Sequence, residues 1–532
     1  MDQEYIFKGL GRSIYNHEPL RLTLARQLDL PEIESVTVER EAIDARRKPA
    51  VVYVYNLRFR VSRPTPRLQR LLAKGEIALY TPPTLPEPER RIRLPERPII
   101  VGFGPAGIFL GLGLARLGYK PIIYERGESV EQRVRTVRAL WREGRLNPES
   151  NLQFGEGGAG TFSDGKLTSG KRRMLNDIVL QTFVQAGAPE RILYQSRPHI
   201  GTDFLRRVVQ NLRGQIQSLG GEVHFGHVFS DLHLNDGGVE AITVAGRRVS
   251  ASCVILAIGH SARDTVEMLY RRGVAMEPKP FAVGVRIEHP AAFINEAQYG
   301  MSQMAQAAAA LPAADYKLTH RHRGQGVYSF CMCPGGRVVC AASVPAGLVV
   351  NGMSYSGRDE KYSNSAIVAG VNPAARGFHS PLDAIAFQYR FEAVAFAAGG
   401  GGYIAPAQRA RDFLRNQPST NLPPTSYRPG VAPADLNTVL PPSILPLLKA
   451  GLAQFERRIR GFVEKGVLIG FESRTSSPVR ILRDGNCQSV STPGLYLLGE
   501  GAGYAGGIMT CALDALRFAR LVKPCKVNPT AR

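Results

Sequence analysis

Cysteine is scarce in this chain: seven in 532 residues, at Cys253, Cys331, Cys333, Cys340, Cys487, Cys511 and Cys525. So thin and odd a set builds no disulfide framework and fits a reducing compartment, so a cytoplasmic location is expected. No run of about 18 apolar residues occurs, which excludes a membrane-spanning helix. The first residues, Met1-Asp2-Gln3-Glu4-Tyr5-Ile6-Phe7, lack the cationic start and apolar stretch of a secretory signal. No repeat of about 20–50 residues is present, and nothing resembles a Ser-His-Asp triad, a P-loop or a zinc finger. Acidic residues are in deficit, 45 against 67 basic ones, giving a net charge of +22. Such an excess suits nucleic acid, an anionic membrane surface or acidic substrates. Arginine pairs such as Arg46-Arg47, Arg172-Arg173 and Arg271-Arg272 are isolated, however, and no run of like charges reaches about five. A solvated basic surface is therefore the favoured reading, and a nucleic-acid partner is not.

A chain of this length exceeds one compact core, so two or three domains are expected. Residues 1–80 read as a small α+β domain. Leu20 to Leu28 carries apolar positions at helical spacing, while Val36 to Val38 and Ala50 to Val61 are rich in β-branched and aromatic residues. The prolines between Thr81 and Pro98 remove donors and fix φ, so 81–96 reads as a linker.

A second unit opens at Arg97. Pro98-Ile99-Ile100-Val101 is a short buried strand, Gly102-Phe103-Gly104-Pro105-Ala106-Gly107 a turn, Ile108 to Leu117 a helix ending near Gly118, and Pro121 to Tyr124 the next strand. A G-x-G-x-x-G string is weak by itself, but in this strand–turn–helix–strand setting each residue has a task. Gly102 permits the tight turn, Gly104 lets the backbone approach a pyrophosphate, and Gly107 lets the helix pack on the sheet. Pro105 suits the first helical turn, and the free N–H groups there, Ala106 among them, hold the diphosphate with the helix dipole. Glu125, at the end of the second strand, is placed to accept from a ribose diol, with Arg126 beside the adenosine half.

Two further segments favour FAD over NAD. Gly494 to Gly503 is a strand followed by a Gly-rich turn, with Gly499 and Glu500 facing the ribityl-phosphate side of a flavin. Val254 to Gly259 is a strand ending in a small-residue turn. A strand-like run from Val223 to Leu234 contains Val228, a further candidate cofactor contact, and Val239 to Val244 follows it. From Met276 to Arg474 the pattern changes, with strand-like runs at Ala282–Glu288, Val327–Cys331 and Val338–Ala342 and an irregular Pro-rich stretch from Asn416 to Pro446. The expected class is thus α/β: a Rossmann-like FAD-binding domain (97–275 and 475–532), an inserted mixed α+β substrate domain (276–474), and the small N-terminal α+β domain.

Over nearly its whole length the chain resembles a family of uncharacterised bacterial NAD(P)/FAD-dependent oxidoreductases, also described as FAD-dependent dehydrogenases. The likeness is carried by 151–167 (NLQFGEGGAGTFSDGKL), Phe330-Cys331-Met332-Cys333-Pro334-Gly335-Gly336, Asn351-Gly352-Met353-Ser354, Glu472 to Pro478, and Gly499 to Ile508. It implies a bound FAD, the small N-terminal domain and the inserted domain, and no particular substrate. One departure is Asp514-Ala515-Leu516, where Asp-Gly is expected.

Several residues read as chemistry. The Gly-rich stretch from Gly155 to Lys166 can wrap a planar ring or pyrophosphate, giving Gly158, Gly160 and Ser163 as cofactor contacts, and Lys166 can stabilise negative charge on a reduced flavin. Gly506, Gly507 and Ile508 would set a helix N-terminus against the flavin pyrimidine. Cys331 and Cys333 have three readings: a redox dithiol, a metal half-site with Cys340, or small residues lining a pocket. The C-x-C-x6-C spacing lacks a fourth ligand, so no metal is expected. Arg286, Glu288, His289, Arg474, Ser476, Ser477 and His260 are polar groups of the presumed substrate region.

The function expected is an FAD-dependent oxidoreductase or dehydrogenase acting on a small molecule. With a single G-x-G-x-x-G unit, NAD(P)H would dock only transiently as electron donor. The alternatives are an FAD-dependent RNA-modifying enzyme and a non-enzymatic flavin-binding protein.

Overall fold

The computed structural model describes residues 3–168 and 174–525. The Arg172-Arg173 pair and the first two residues of the N-terminal reading lie outside them.

The N-terminal segment runs strand–helix–strand–strand–helix–strand. Its antiparallel sheet has the order Ser35–Asp44, Val52–Arg60, Glu4–Ser13, Ile77–Leu79. Alternate residues of these strands, Tyr5, Leu10, Tyr55, Leu57 and Phe59, bury one face under Leu24 and Leu28 of the helix Leu20–Leu28 and Leu68 and Leu71 of Pro66–Ala73. The second helix begins as its sequence dictates, with Thr65 Oγ1 accepting from Leu68 N and proline in the first turn.

The Pro-rich stretch after Leu79 forms no helix, but it is not a free tether. Ile92 is buried, and the N–H groups of Arg91 and Ile92 both reach Leu521 O at the end of the last helix. It leads into a five-stranded parallel sheet of order Leu495–Leu497, Val254–Leu256, Ile99–Val101, Ile122–Glu125, Glu222–Phe225. Ile99–Val101 and Val254–Leu256, at the centre, are apolar runs buried throughout, as parallel strands between helices must be, whereas the edge strand Glu222–Phe225 is partly exposed. The helix Pro105–Arg116 follows the first of them, and the last helix, Ile508–Leu521, packs beside it where Gly113 faces Ala519.

The run Val223 to Leu234 is not one strand. Glu222–Phe225 joins the parallel sheet, while Phe229–Asn235 joins Gly238–Val244 and Arg247–Ser250 in a separate antiparallel sheet. Gly226, at φ 71°, lies in the break between them. Likewise, Ala251 to Ala257 narrows to Val254–Leu256, and the stretch from Asn416 to Pro446 holds a short strand, Val431–Pro433, and a helical turn, Leu436–Val439.

Between the fourth and fifth strands of the parallel sheet in chain order, Val254–Leu256 and Leu495–Leu497, the chain builds a seven-stranded sheet: Thr319–His322, Gln325–Cys333, Tyr362–Val371, Phe281–Pro290, Val467–Glu472, Ala405–Arg409, Val431–Pro433. Its central strand, Phe281–Pro290, is buried from Phe281 to His289. The helices Pro381–Ala398 and Leu445–Arg458 contribute Ala384, Phe391, Leu448 and Phe455 to the same core. No helix among the described residues is long and apolar enough to cross a membrane.

Candidate functional site

The carboxyl ends of the parallel strands and the near edge of the seven-stranded sheet enclose one cavity of about 620 Å³, within the range of small-molecule and cofactor sites. Its first wall is the turn after Ile99–Val101. Gly102 has φ 100°, and a Cβ there would stand 2.5 Å from Ala257 O. Gly107 is absent from the cavity wall, because it packs its Cα against Gly102 O where any Cβ would collide. Gly104 differs: it lines the cavity, and an added Cβ would meet nothing nearer than Gly158 Cα at 3.7 Å. Pro105 has no N–H and Ile108 N is the first to bond within the helix, to Gly104 O. The N–H group of Ala106, on the cavity wall, is left for a ligand at the positive end of the dipole.

Glu125 is only 5 % exposed. One carboxylate oxygen accepts from Phe103 N at 2.8 Å; the other accepts from Gly127 N and Gly155 N, both at 2.9 Å. It therefore fixes three loops around the cavity, with one lone-pair direction left over for a ligand hydroxyl. Arg126 stands over the Phe154 ring at 4.2 Å and is paired with Glu149 and Asp264, so it forms a wall already neutralised.

The Gly-rich stretch from Asn151 is wired by a residue without a motif, Arg133. It is fully buried, and its guanidinium donates to the carbonyls of Asn151, Leu152, Glu156 and Gly158 at 2.7–2.9 Å. Burial draws its pKa down to about 10, leaving it a cation at neutral pH. Gly158, Gly160 and Ser163 line the cavity, the last donating to Gly160 O and accepting from Gly165 N. Lys166 follows, 2.8 Å from Asp164, whose other oxygen takes Arg358 Nε at 2.9 Å. Burial alone would lower the Lys166 pKa, but Asp164 outweighs it and the ammonium is held charged. The triad carries one net positive charge at the cavity.

The opposite wall comes from the chain's last strand and helix. Glu500, Gly506, Gly507 and Ile508 line the cavity, and so do Val228 and Gly259. Added Cβ atoms at Gly259 or Gly507 would meet no protein atom within 4 Å, so the wall is bare there. Gly499 is not on the wall: its N–H donates to Asp514, which also pairs with Arg483 at 2.7 Å. His260 Nδ1 lies 3.5 Å from Glu500, and its buried Nε2 has no protein partner.

Of the substrate-region candidates, His260, Arg474 and Ser476 reach the cavity, beside Lys279, Phe330, Cys331 and Asn351. Arg286, Glu288 and His289 do not, because they lie in Phe281–Pro290, the buried central strand of the seven-stranded sheet, and Ser477 does not, being turned to Val479 O in the loop beyond that sheet. Arg286 pairs with Glu472 at 2.7 Å. Glu288 accepts from Ser426, with burial raising its pKa to about 7. His289 bonds Phe462 O and is kept neutral by burial, its pKa down to about 4. Cys333 is likewise fully buried, behind Cys331. Arg474 shares Glu392 with Arg263; all three are 2 % exposed or less, and the ion pairs are 2.7–3.0 Å long. Burial works to raise the Glu392 pKa, but the two guanidiniums bring it to about 2. This network ties the turn after Val254–Leu256 to the seven-stranded sheet.

A family model described as "FAD-dependent protein, C-terminal domain-like" matches residues 280–475, the span of the seven-stranded sheet. An "Uncharacterized protein" of Clostridium beijerinckii is 49 % identical over 428 residues, covering 80 % of each chain. Among solved structures, halogenase PltM with phloroglucinol and FAD is similar over 79 % of this chain and 68 % of its own (12 % identity, TM-score 0.36). CtdE in complex with FAD covers 80 % and 81 % (12 %, 0.30). A geranylgeranyl bacteriochlorophyll reductase-like protein of Thermoplasma acidophilum covers 79 % and 76 % (11 %, 0.33). Likenesses this remote decide nothing about the reaction. The bare glycines, the open helix N-terminus and the Glu125-bound loops fit a dinucleotide, and with the family match and the close relative the chain belongs to a family of FAD-dependent proteins that includes the clostridial one.

Proposed function

We propose that this protein is an FAD-dependent oxidoreductase with a Rossmann-like cofactor domain and an inserted substrate domain, 276–474. FAD, when bound, supplies a two-electron acceptor. The Ala106 N–H and the first turn of its helix would bind its diphosphate, Glu125 its adenosine ribose, and Glu500 with the Gly506–Gly507 turn the flavin half. One observation carries the reading. The cavity does not end at the dinucleotide cradle but runs on to Phe330, Cys331, Asn351 and Arg474–Ser476 of the inserted sheet, so a second molecule has a place beside the cofactor.

Two features suit electron transfer to a flavin. The helix Ile508–Leu521 points its N-terminus at the cavity, and the Lys166–Asp164–Arg358 triad carries net positive charge; both favour an anionic reduced ring. His260 Nε2, buried without a partner, is available to hold or pass a proton. NAD(P)H serves as a transient donor in this scheme. The test is anaerobic addition of NADH or NADPH to the FAD-loaded protein. Bleaching of the flavin is expected; a flavin that neither nicotinamide nor any small-molecule donor bleaches would refute the oxidoreductase reading.

A further inference from the structure

The stretch around Cys331 and Cys333 is built unlike the rest of its strand. Phe330 pairs with Ala366 and Cys333 with Asn364, so Gln325–Cys333 carries one residue more than its partner between those points. Such a bulge re-aims a side chain beside a site. Cys331 has φ 44°, a conformation that side-chain-bearing residues seldom adopt and that persists only where surroundings impose it. Here two cations impose it. Both terminal nitrogens of Arg286 donate to Cys331 O at 3.2 Å, and Lys166 donates to Met332 O. Arg286 also lies 3.8 Å from Cys333 Sγ.

The result is an asymmetric pair. Cys331 faces the cavity, while Cys333 is fully buried behind it. Cys333 Sγ donates to Cys331 O at 3.4 Å; the adjacent Cys333 thiol, with Lys166 and Arg286, pulls the Cys331 thiol well below its ordinary pKa, while the Cys331 neighbour and burial push Cys333 up. One thiolate beside one thiol is the protonation state from which a disulfide forms.

We propose that Cys331 and Cys333 form a redox dithiol that exchanges two electrons with the bound FAD, an inference that rests on the flavin oxidoreductase reading above. In the oxidising direction a Cys331–Cys333 S–S bond forms and the Cys333 S–H bond breaks. Its proton and the two electrons released by the sulfurs pass to oxidised FAD, which becomes the singly protonated reduced anion; the reverse step returns them. Lys166 and Arg286 are the positioning residues, since they hold the bulge and stabilise the thiolate.

The experiment starts from apoprotein reduced with a phosphine, freed of it by gel filtration, and mixed anaerobically with FAD. The flavin band is expected to bleach, and peptide mapping after iodoacetamide should find the 325–336 region unalkylated and lighter by two hydrogens, in proportion to the bleaching. Cys331→Ser, and separately Cys333→Ala, should still bind FAD but show neither change. Bleaching at the wild-type level in both variants, or a disulfide formed while the flavin stays oxidised, overturns the proposal. A second arm treats the apoprotein with diamide, which needs no flavin: full alkylation of both cysteines afterwards also overturns it. If FAD binds and NADH bleaches it while no disulfide appears, the dithiol fails and the oxidoreductase reading stands. Protein that takes up no FAD sinks that parent reading, and the diamide arm still judges the pair.

Discussion

Gly104→Ala and Gly107→Ala, three residues apart in one turn, should fail in different ways. Gly104 has φ −79° and ψ −171°, which alanine adopts without strain, and an added Cβ would meet no protein atom closer than 3.7 Å. The fold should therefore keep its stability, or gain a few tenths of a kcal/mol from reduced unfolded-chain entropy. The methyl group would instead stand where the diphosphate approaches the Ala106 N–H. Losing one hydrogen bond to a charged group costs about 1.5–3 kcal/mol, which weakens FAD binding roughly tenfold to a hundredfold. At Gly107 the added Cβ would overlap Gly102 O; the helix must move off the sheet, and stability falls by about 1–3 kcal/mol as in overpacked cores. Flavin-fluorescence quenching on titration of apoprotein gives the affinity, and urea unfolding gives the stability. A Gly104→Ala protein that binds FAD as tightly as wild type refutes the placing of the diphosphate at this helix.

Three other outcomes are expected. Glu392→Ala leaves the Arg263 and Arg474 guanidiniums buried without their counter-ion and should cost about 3–5 kcal/mol, read from the urea midpoint; a change under about 1 kcal/mol would mean that water enters the network. Glu288→Gln should alter the pH dependence of stability. The folded carboxyl keeps its proton to about pH 7 where the ordinary value is 4.5, so wild type loses stability as pH rises through that window, by about 3 kcal/mol. The variant lacks this fall, so its urea midpoint should rise relative to wild type between pH 4.5 and 7; parallel curves would contradict the burial argument. Asp514→Ala frees Gly499 N and Arg483 and should lower stability by about 1.5–3 kcal/mol, with the melting curve as readout and an unchanged midpoint as the refuting result.

Local signals in the sequence read well where the cause is local. Leu20–Leu28 and Ile508–Leu521 lie where their spacing says, because helical periodicity and the residues at their starts, Pro19 and Gly507, act within a few residues. The turn from Gly102 to Gly107 was legible for the same reason. What the sequence hides is partnership at a distance. Nothing in Val223 to Leu234 announces that its two halves join different sheets, since the first half pairs with Ile122–Glu125, about a hundred residues earlier, while the second folds back in a hairpin on Gly238–Val244. Arg133 and Glu392 carry no motif, yet one wires the Gly-rich loop and the other joins the two large sheets. Glu125 was legible as a candidate at the end of its strand, but its three bonds to backbone N–H groups depend on loops that only folding brings together. Arg286, Glu288 and His289 read as site residues because they are polar, and they are core residues because each found a buried partner.

The strand order of the parallel sheet has a consequence for synthesis. Leu495–Leu497 joins the edge of the parallel sheet beside Val254–Leu256, and between them lies the whole seven-stranded sheet, made from contiguous chain. On the ribosome that intervening unit can close first, while the cofactor cradle waits for its last strand and helix for on the order of ten seconds or more at ordinary elongation rates. Until the final helix arrives, the wall formed by Glu500 and the Gly506–Gly507 turn is missing. A nascent chain halted before Leu495 therefore lacks one wall of the cavity, and a cofactor held against that wall can be captured only after the helix Ile508–Leu521 has been made.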